Sequence, residues 1–256
     1  MDPYSWSWNP ETLIVVPVLT AAYVFAIRRH LASPWRIASF VAAMALLLVV
    51  GVTPLETLAM DYLLTIHLLQ NVVLAEWAPL LIVLALPPSL ASSLTRRDPL
   101  RALTHPLVAL PLWLANYMAW HLPWLYDTAL ENPHTLLHVE HALYVLTGLA
   151  MWWSVFQDEP HRLGAGSRAA VVFAAFVLGS PIGLVLALVP NAVYDFYRDA
   201  PERLWGLSPL EDQQLAGILM AVEQATVFFA VFTLWFLRFF AEEERREDVD
   251  RAPEAA

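Results

Sequence analysis

The sequence predicts an all-α, polytopic membrane protein with seven transmembrane helices. Hydrophobic residues make up 59% of the 256 residues and charged residues only 15%. Apolar windows of about 20 residues, the length that crosses a bilayer, recur along the chain. In order, these windows cover 12–27, 36–53, 58–86, 106–121, 134–156, 168–190 and 213–238. We therefore expect one transmembrane domain over 1–240, surrounded by the lipid bilayer, and a charged, disordered cytoplasmic tail over 241–256.

Prolines mark two irregular points among these windows. Pro79 lies inside the long third window and lacks the N–H that a helix needs, so it predicts a kink or an end of regular helix before "LALPP". Pro111 lies inside the short fourth window. The third and fourth helices are therefore the ones in which we expect irregular geometry.

Arginine placement predicts the orientation of the helices, because loops rich in Arg stay in the cytoplasm. All 14 basic residues are Arg. Only Arg198 and Arg203 fall in the loops predicted on one side. The rest fall in the alternate loops and the C-terminal segment: Arg28, Arg29, Arg36, Arg96, Arg97, Arg101, Arg162, Arg168, Arg238, Arg245, Arg246 and Arg251. The N-terminus is thus predicted outside and the C-terminus inside.

Composition excludes several kinds of chemistry. The chain has no Cys, so it has neither a disulfide framework nor a thiolate metal site. It has no Lys, which rules out a retinal Schiff base. The net charge of −10 reflects acids in loops and in the C-terminal segment, and no basic surface suggests nucleic acid as a partner. Soft-metal chemistry would have to use His and Met.

Five of the eight histidines fall near the predicted outer ends of the third, fourth and fifth helices: His67, His121, His134, His138 and His141. Residues three, four and seven apart share one face of a helix, so His134, His138 and His141 form a stripe. On the third helix Met60, His67 and Asn71 share a face, with Gln70 at its edge. We expect the histidines of the three helices to converge at this end.

Imidazoles beside a thioether suit copper, whereas zinc could be bound by the histidines alone. An interhelical hydrogen-bond network would also place histidines together inside a membrane protein, and both interpretations stay open. Ionisable residues inside the windows raise the same question. Glu140 lies off the histidine stripe, Asp212 and Glu223 share one side of the seventh helix with Met220 between them, and Glu76 has no evident partner. For Asp212 a helix N-terminal role is the alternative.

Four blocks in order resemble the CtaG family, the seven-span cytochrome c oxidase assembly factors of bacteria. The blocks are "IHLLQNVVLAEWAPLLIVLALP", "WHLPWLYDTAL", "HVEHALYVLTGLAMWW" and "LSPLEDQQLAGILM", and the resemblance covers roughly 55–225. It implies a protein of the bacterial plasma membrane that helps copper reach a haem-copper oxidase on the outer side. The oxidase subunits are then its expected partners.

Residue by residue, the resemblance covers most of the family pattern. In the helix-three block His67 and Gln70 match, but Asn71 stands where a second His is expected. Ala221 stands where an aromatic residue is expected in the last block, which indicates a divergent member. Positions that match elsewhere are His121, Glu140, His141, Asp212, Gln213, Gly217 and Met220.

Two alternatives use the same histidines. The first is an integral membrane metalloenzyme, although His138-Val-Glu140-His141 lacks the spacing of the metalloprotease motifs. The second is a haem-binding electron carrier, with His67 and His138 facing each other on two helices. Metal analysis and an absorption spectrum separate these from a copper-handling assembly factor that is not an enzyme.

Overall fold

The structure, a computed structural model, describes residues 2–200 and 202–251. Helix is the dominant conformation at 78%, and none of these residues lies in a strand, so the predicted all-α class is confirmed. The helices are α1 Pro10–Ile27, α2 Pro34–Val52, α3 Pro54–Asp61, α4 Leu64–Val72, α5 Ala78–Ala85, α6 Pro88–Leu94, α7 Asp98–Leu103, α8 Pro106–Trp120, α9 Pro123–Glu131, α10 Leu136–Phe156, α11 Ala165–Gly179, α12 Pro181–Leu188, α13 Asp195–Arg198 and α14 Pro209–Arg251. A π-helical segment, Val73–Trp77, joins α4 to α5.

Five stretches are long and apolar enough to cross a membrane: Pro10–Ile27, Pro34–Val52, Leu64–Ala85, Ala165–Leu188 and Pro209–Asp248. Each coincides with a predicted window. The other two windows are also helical, but α8 is only 15 residues long and α10 carries His138, Glu140 and His141, which lower its hydropathy. The chain is therefore a helical protein with five stretches, among the described residues, that could cross a membrane by length and composition.

The third predicted window begins later than expected. Residues 58–61 belong to the separate helix α3, and the chain turns at Tyr62 and Leu63 before α4 begins. The carboxylate of Asp212 accepts hydrogen bonds from the backbone N–H groups of Leu64 (2.8 Å) and Thr65 (3.0 Å). A side chain from α14 thus satisfies the first N–H groups of α4 and fixes where that helix starts.

Pro79 acts through the turn that precedes it. Because Pro79 has no N–H, the carbonyl of Ala75 loses its usual partner four residues on, and the chain widens into the π-helical segment. Gly148 of α10 lies against this freed carbonyl, since a Cβ at position 148 would come within 2.2 Å of the Ala75 oxygen. The close approach of α10 to the π segment therefore requires glycine.

Small residues also bring the last helices together. Gly183 of α12 and Gly217 of α14 face each other, and a Cβ at position 217 would lie 2.5 Å from the Gly183 carbonyl oxygen. Close contacts between small residues stabilise helix packing inside a membrane, where no hydrophobic force acts between helices.

Two of the three apolar clusters among the described residues are large, and the third is formed by Leu58, Tyr62 and Leu63. One of the large clusters includes Leu68, Tyr126 and Tyr144, and the other is built around Trp113, Trp152 and Phe228. The first cluster adjoins one end of the bundle, where the N-termini of α1 and α10 meet α3 and α9. We call this end of the bundle the histidine end.

At its C-terminus α14 continues to Arg251, well into the segment 241–256 that the sequence predicted as a disordered tail. Its last turns carry ion pairs such as Arg246 with Glu243, which support a solvated helix. Residues 252–256 lie outside the described residues.

Candidate functional site

A carboxylate and two imidazoles meet at the histidine end. Glu11 Oε2 lies 2.7 Å from His138 Nδ1 and 3.3 Å from His141 Nδ1. One ligand atom from each residue falls within 4.8 Å of the others, which is compact enough for one metal ion. No other set of three His, Asp or Glu residues in the described part of the chain is as close.

Local structure holds each of these side chains in place. Asn9 caps α1 by accepting a hydrogen bond from the Glu11 N–H at 2.9 Å, so Glu11 projects from the first turn. His138 and His141 lie one turn apart on α10, as predicted, whereas His134, the third member of the predicted stripe, lies in the turn before the helix begins. The side chain of His138 is 35% exposed and that of His141 is 6% exposed, so the cluster runs from the surface into the protein.

A cavity of about 260 Å³ lies over the cluster, and its lining includes Glu56, Met60 and His134 together with His138 and His141. Glu56 is buried and accepts hydrogen bonds from the amides of Asn9 (2.7 Å) and Gln70. Burial raises the pKa of Glu56, and the two amide donors oppose that shift. The structure thus brings Met60 and His134 to the same cavity as the two stripe histidines, while Gln70 supports Glu56.

Two further histidines lie deeper. His67 is fully buried, and its Nδ1 lies 2.8 Å from the Tyr197 hydroxyl, which itself donates to the Ala59 carbonyl. The Nδ1 of His121 lies 2.8 Å from the Tyr117 carbonyl. In both rings the Nδ1 therefore carries the proton, which leaves Nε2 with a free lone pair.

The Nδ1 of His141 faces Glu11 Oε2 at 3.3 Å. The Nε2 atoms of His67, His121 and His141 are all buried without a hydrogen-bond partner. Metal-binding histidines commonly have this arrangement, in which one ring nitrogen donates to an oxygen and the other is free. Tyr126 lies between the deeper two, with ring centroids 5.4 Å from His67 and 6.4 Å from His121. Whether these deeper rings share a metal with His138 and His141 stays a prediction.

Asn71 and Glu140 form a buried pair beside the histidines. The Asn71 amide donates to Glu140 Oε1 at 3.3 Å, and the side chains are 4% and 1% exposed. At the position where the family pattern has a second His, Asn71 therefore holds a carboxylate of the neighbouring helix. The supporting polar roles predicted for Asn71 and Glu140 beside the histidines stay predictions.

The predicted polar residues of the seventh helix lie apart from the Glu11 cluster. Asp212 caps α4, Met220 is buried in the core, and Glu223 accepts a hydrogen bond from the Trp77 indole N–H. Of the two interpretations of Asp212, the structure favours the helix-terminal one: Asp212 lies in the first turn of α14, and its carboxylate also caps the N-terminus of α4. Glu76, for which the sequence suggested no partner, accepts a hydrogen bond from the Gln224 amide at 3.1 Å.

Glu11 and Glu56 were missed by sequence reasoning. Glu11 is 127 residues away from His138, so no local spacing links them. The one available signal was that both acids lie beside an apolar window at the predicted outer end. The five histidines indicated a site at that end, but helical periodicity did not identify the two acids as part of it.

The fold and the site define a class: an all-helical protein with helices long and apolar enough to cross a membrane, whose one compact group of potential metal ligands, among the described residues, lies at one end of the bundle. The family model described as cytochrome c oxidase caa3 assembly factor (Caa3_CtaG) matches residues 19–242. The chain therefore belongs to the CtaG family of cytochrome c oxidase assembly factors, and the resemblance found in the four sequence blocks is confirmed. No curated protein and no solved structure matches the chain.

Proposed function

We propose that this protein handles copper for the assembly of a haem-copper cytochrome c oxidase, at the outer face of a bacterial plasma membrane. The observation that carries the proposal is the meeting of Glu11, His138 and His141, with ligand atoms within 4.8 Å of one another. Family membership supplies the connection to the oxidase.

The donor set fits copper chemically. Imidazole is a good copper ligand, and divalent copper binds a given nitrogen and oxygen site more tightly than the other first-row divalent metals do. The Met60 side chain lines the same cavity and contains a thioether, which suits cuprous copper. His138 is partly exposed and His141 is buried, so the cluster reaches from the surface into the interior. This arrangement suits a protein that takes up a metal ion and passes it on.

A second candidate is a zinc-dependent membrane enzyme, because two histidines and one glutamate also form the protein ligand set of known catalytic zinc sites. Metal content after purification decides between the two. Stoichiometric copper supports the assembly role, whereas zinc with hydrolytic activity supports the enzyme. The haem-carrier alternative stays a prediction, for which a Soret band is the test.

The proposal includes seven membrane spans, with the N-terminus outside and the C-terminus inside. Five candidate spans meet length and hydropathy requirements. The helices α8 and α10 pack against each other and still present apolar side chains outward, such as Leu107 (80% exposed) and Leu146 (61% exposed). Such faces suit contact with lipid.

Reporter fusions test this topology. A fluorescent protein fused after Arg251 should fold and fluoresce, and alkaline phosphatase fused there should be inactive, because the Arg-rich end is predicted in the cytoplasm. In the loop that contains Arg203, fused alkaline phosphatase should be active and the fused fluorescent protein should not fluoresce. Active phosphatase at the C-terminus would contradict the orientation.

Glu11→Gln tests the proposed site with little change in size. We expect the purified variant to retain copper about tenfold less well or worse, since the amide is a poorer ligand and no longer orients the two imidazole rings. Copper per protein is measured by elemental analysis after a chelator wash. The matched control is Glu131→Gln, an exposed glutamate at the same end of the bundle. Equal copper in wild type and Glu11→Gln would contradict a site built on Glu11.

A further inference from the structure

A second group of buried acids lies apart from the histidine end. Glu76 is 0% exposed in the π-helical segment, and Glu223 is 8% exposed on α14. Both residues fall within candidate membrane spans. Their carboxyl groups are close enough to interact with each other, and two ionised carboxylates, which only accept, cannot form a hydrogen bond.

The polar side chains around this pair leave acceptors open. The Gln224 amide donates to Glu76 Oε1 (3.1 Å) and to the Tyr117 hydroxyl (3.0 Å), and the Trp77 indole donates to Glu223 Oε1. The second oxygen of each carboxyl group and the Gln224 carbonyl oxygen are buried with no partner. Gln224 itself is 1% exposed. These unpartnered oxygens call for a proton or a bound cation, because unsatisfied polar atoms are costly in an apolar interior.

The protein supplies no such charge itself. The titratable groups facing the pair are the two glutamates and Tyr117, and no Arg or His in the described part of the chain contributes to their electrostatic surroundings. Two adjoining carboxylates in a medium of low dielectric constant cannot both stay ionised. The π-helical segment is what turns Glu76 towards α14, and such segments occur frequently at functional sites.

One side of the pair is open to the membrane. Glu223 and Trp77 line a groove whose other residues are apolar apart from Thr226: Leu69, Leu215, Ile218, Leu219, Val222 and Val227. Glu76 lies behind Glu223 and away from this groove. The two carboxyl groups therefore differ in access, and Glu223 is the one that a small apolar reagent can reach.

We propose that Glu76 and Glu223 form a proton-binding pair inside the membrane-spanning part of the protein, in which one exchangeable proton is shared between the two carboxyl groups. Proton uptake forms an O–H bond on one carboxyl group, and this group donates a hydrogen bond to the other. On release the O–H bond breaks and the proton leaves through the Glu223 side. The site is separate from the proposed copper ligands and does not depend on them.

Dicyclohexylcarbodiimide tests the pair, because it adds as a whole molecule to a protonated carboxyl group, whose proton moves to a carbodiimide nitrogen. In the full-length protein in lipid nanodiscs, we expect one adduct at Glu223 by mass spectrometry, with labelling that decreases as pH rises. Glu223→Gln should lose the adduct. Glu76→Gln should shift the labelling profile to lower pH by about one unit or more, because the neighbouring carboxylate is gone. The control Glu244→Gln, an exposed acid of the same helix, should change nothing.

Two results would overturn the proposal. If sodium in place of choline, at constant pH and ionic strength, suppressed labelling, the ligand would be a metal cation and not a proton. Infrared spectroscopy in H₂O and D₂O provides a readout that does not depend on reagent access. If neither Glu76→Gln nor Glu223→Gln removed a protonated carboxyl band at neutral pH, the pair would hold no proton. The wild-type pH and sodium experiments remain decisive even if a variant fails to accumulate.

Discussion

Replacing His138 and His141 together with Ala is expected to abolish stoichiometric copper binding and to lower cytochrome c oxidase activity in the same cells. The double substitution removes two of the three donors that meet at the histidine end and leaves only the Glu11 carboxylate. A single carboxylate binds transition metals far more weakly than a site with two imidazoles. Because Ala is a good helix former, α10 should still form and insert.

The measurements are copper per purified protein, oxidase activity in membranes and the amount of variant protein. Added copper should restore part of the oxidase activity, since free metal can bypass a handling step. His105→Ala with His161→Ala is the matched control, because these two rings are also in contact, with centroids 4.7 Å apart, but do not belong to the cluster. Full copper content and full oxidase activity in the His138 and His141 variant would mean that the stripe is a hydrogen-bond network, and the copper role would be withdrawn.

Gly148→Ala is expected to destabilise the fold strongly for a change of one methyl group. The added Cβ would lie 2.2 Å from the Ala75 carbonyl oxygen and 2.9 Å from Pro79 Cγ. Neither atom can move freely, because one is backbone and the other belongs to a rigid ring. Overpacking of this kind typically costs about 1–3 kcal/mol, and we expect a value at the upper end.

The melting temperature of the purified protein, measured in one detergent, is the test. Gly164→Ala is the control, because a Cβ at that position meets nothing within 4 Å. Equal melting temperatures for the two variants would show that α10 and the π-helical segment can separate without cost, and would contradict the close packing described above.

Much of the architecture follows from the sequence. The five stretches that are long and apolar enough to cross a membrane each overlap a predicted window, since burial in lipid demands about 20 apolar residues regardless of how the helices pack. The irregular helix geometry at Pro79 and the order of the family blocks also followed from local sequence. The boundaries of α4 did not, because the residue that caps this helix, Asp212, is 148 positions away from Leu64.

The candidate site divides in the same way. Helical periodicity alone placed His138 and His141 on one face, because that relation depends only on 3.6 residues per turn. The partner that completes the cluster, Glu11, comes from the first helix, and the buried pair Asn71 and Glu140 joins two others. Contacts between helices have no fixed sequence spacing, so pattern reasoning could not select these partners.

The sequence by itself therefore determined a helical membrane protein, its family and the end of the bundle where polar chemistry concentrates, because composition, periodicity and motif order are local properties of the chain. Tertiary packing alone decided that Glu11 faces His138 and His141, and that Glu76 of the π-helical segment meets the Gln224 amide of α14. The physical reason is that a helix fixes which residues share a face, whereas the fit of side chains such as Gly148 against neighbouring backbone fixes which faces meet.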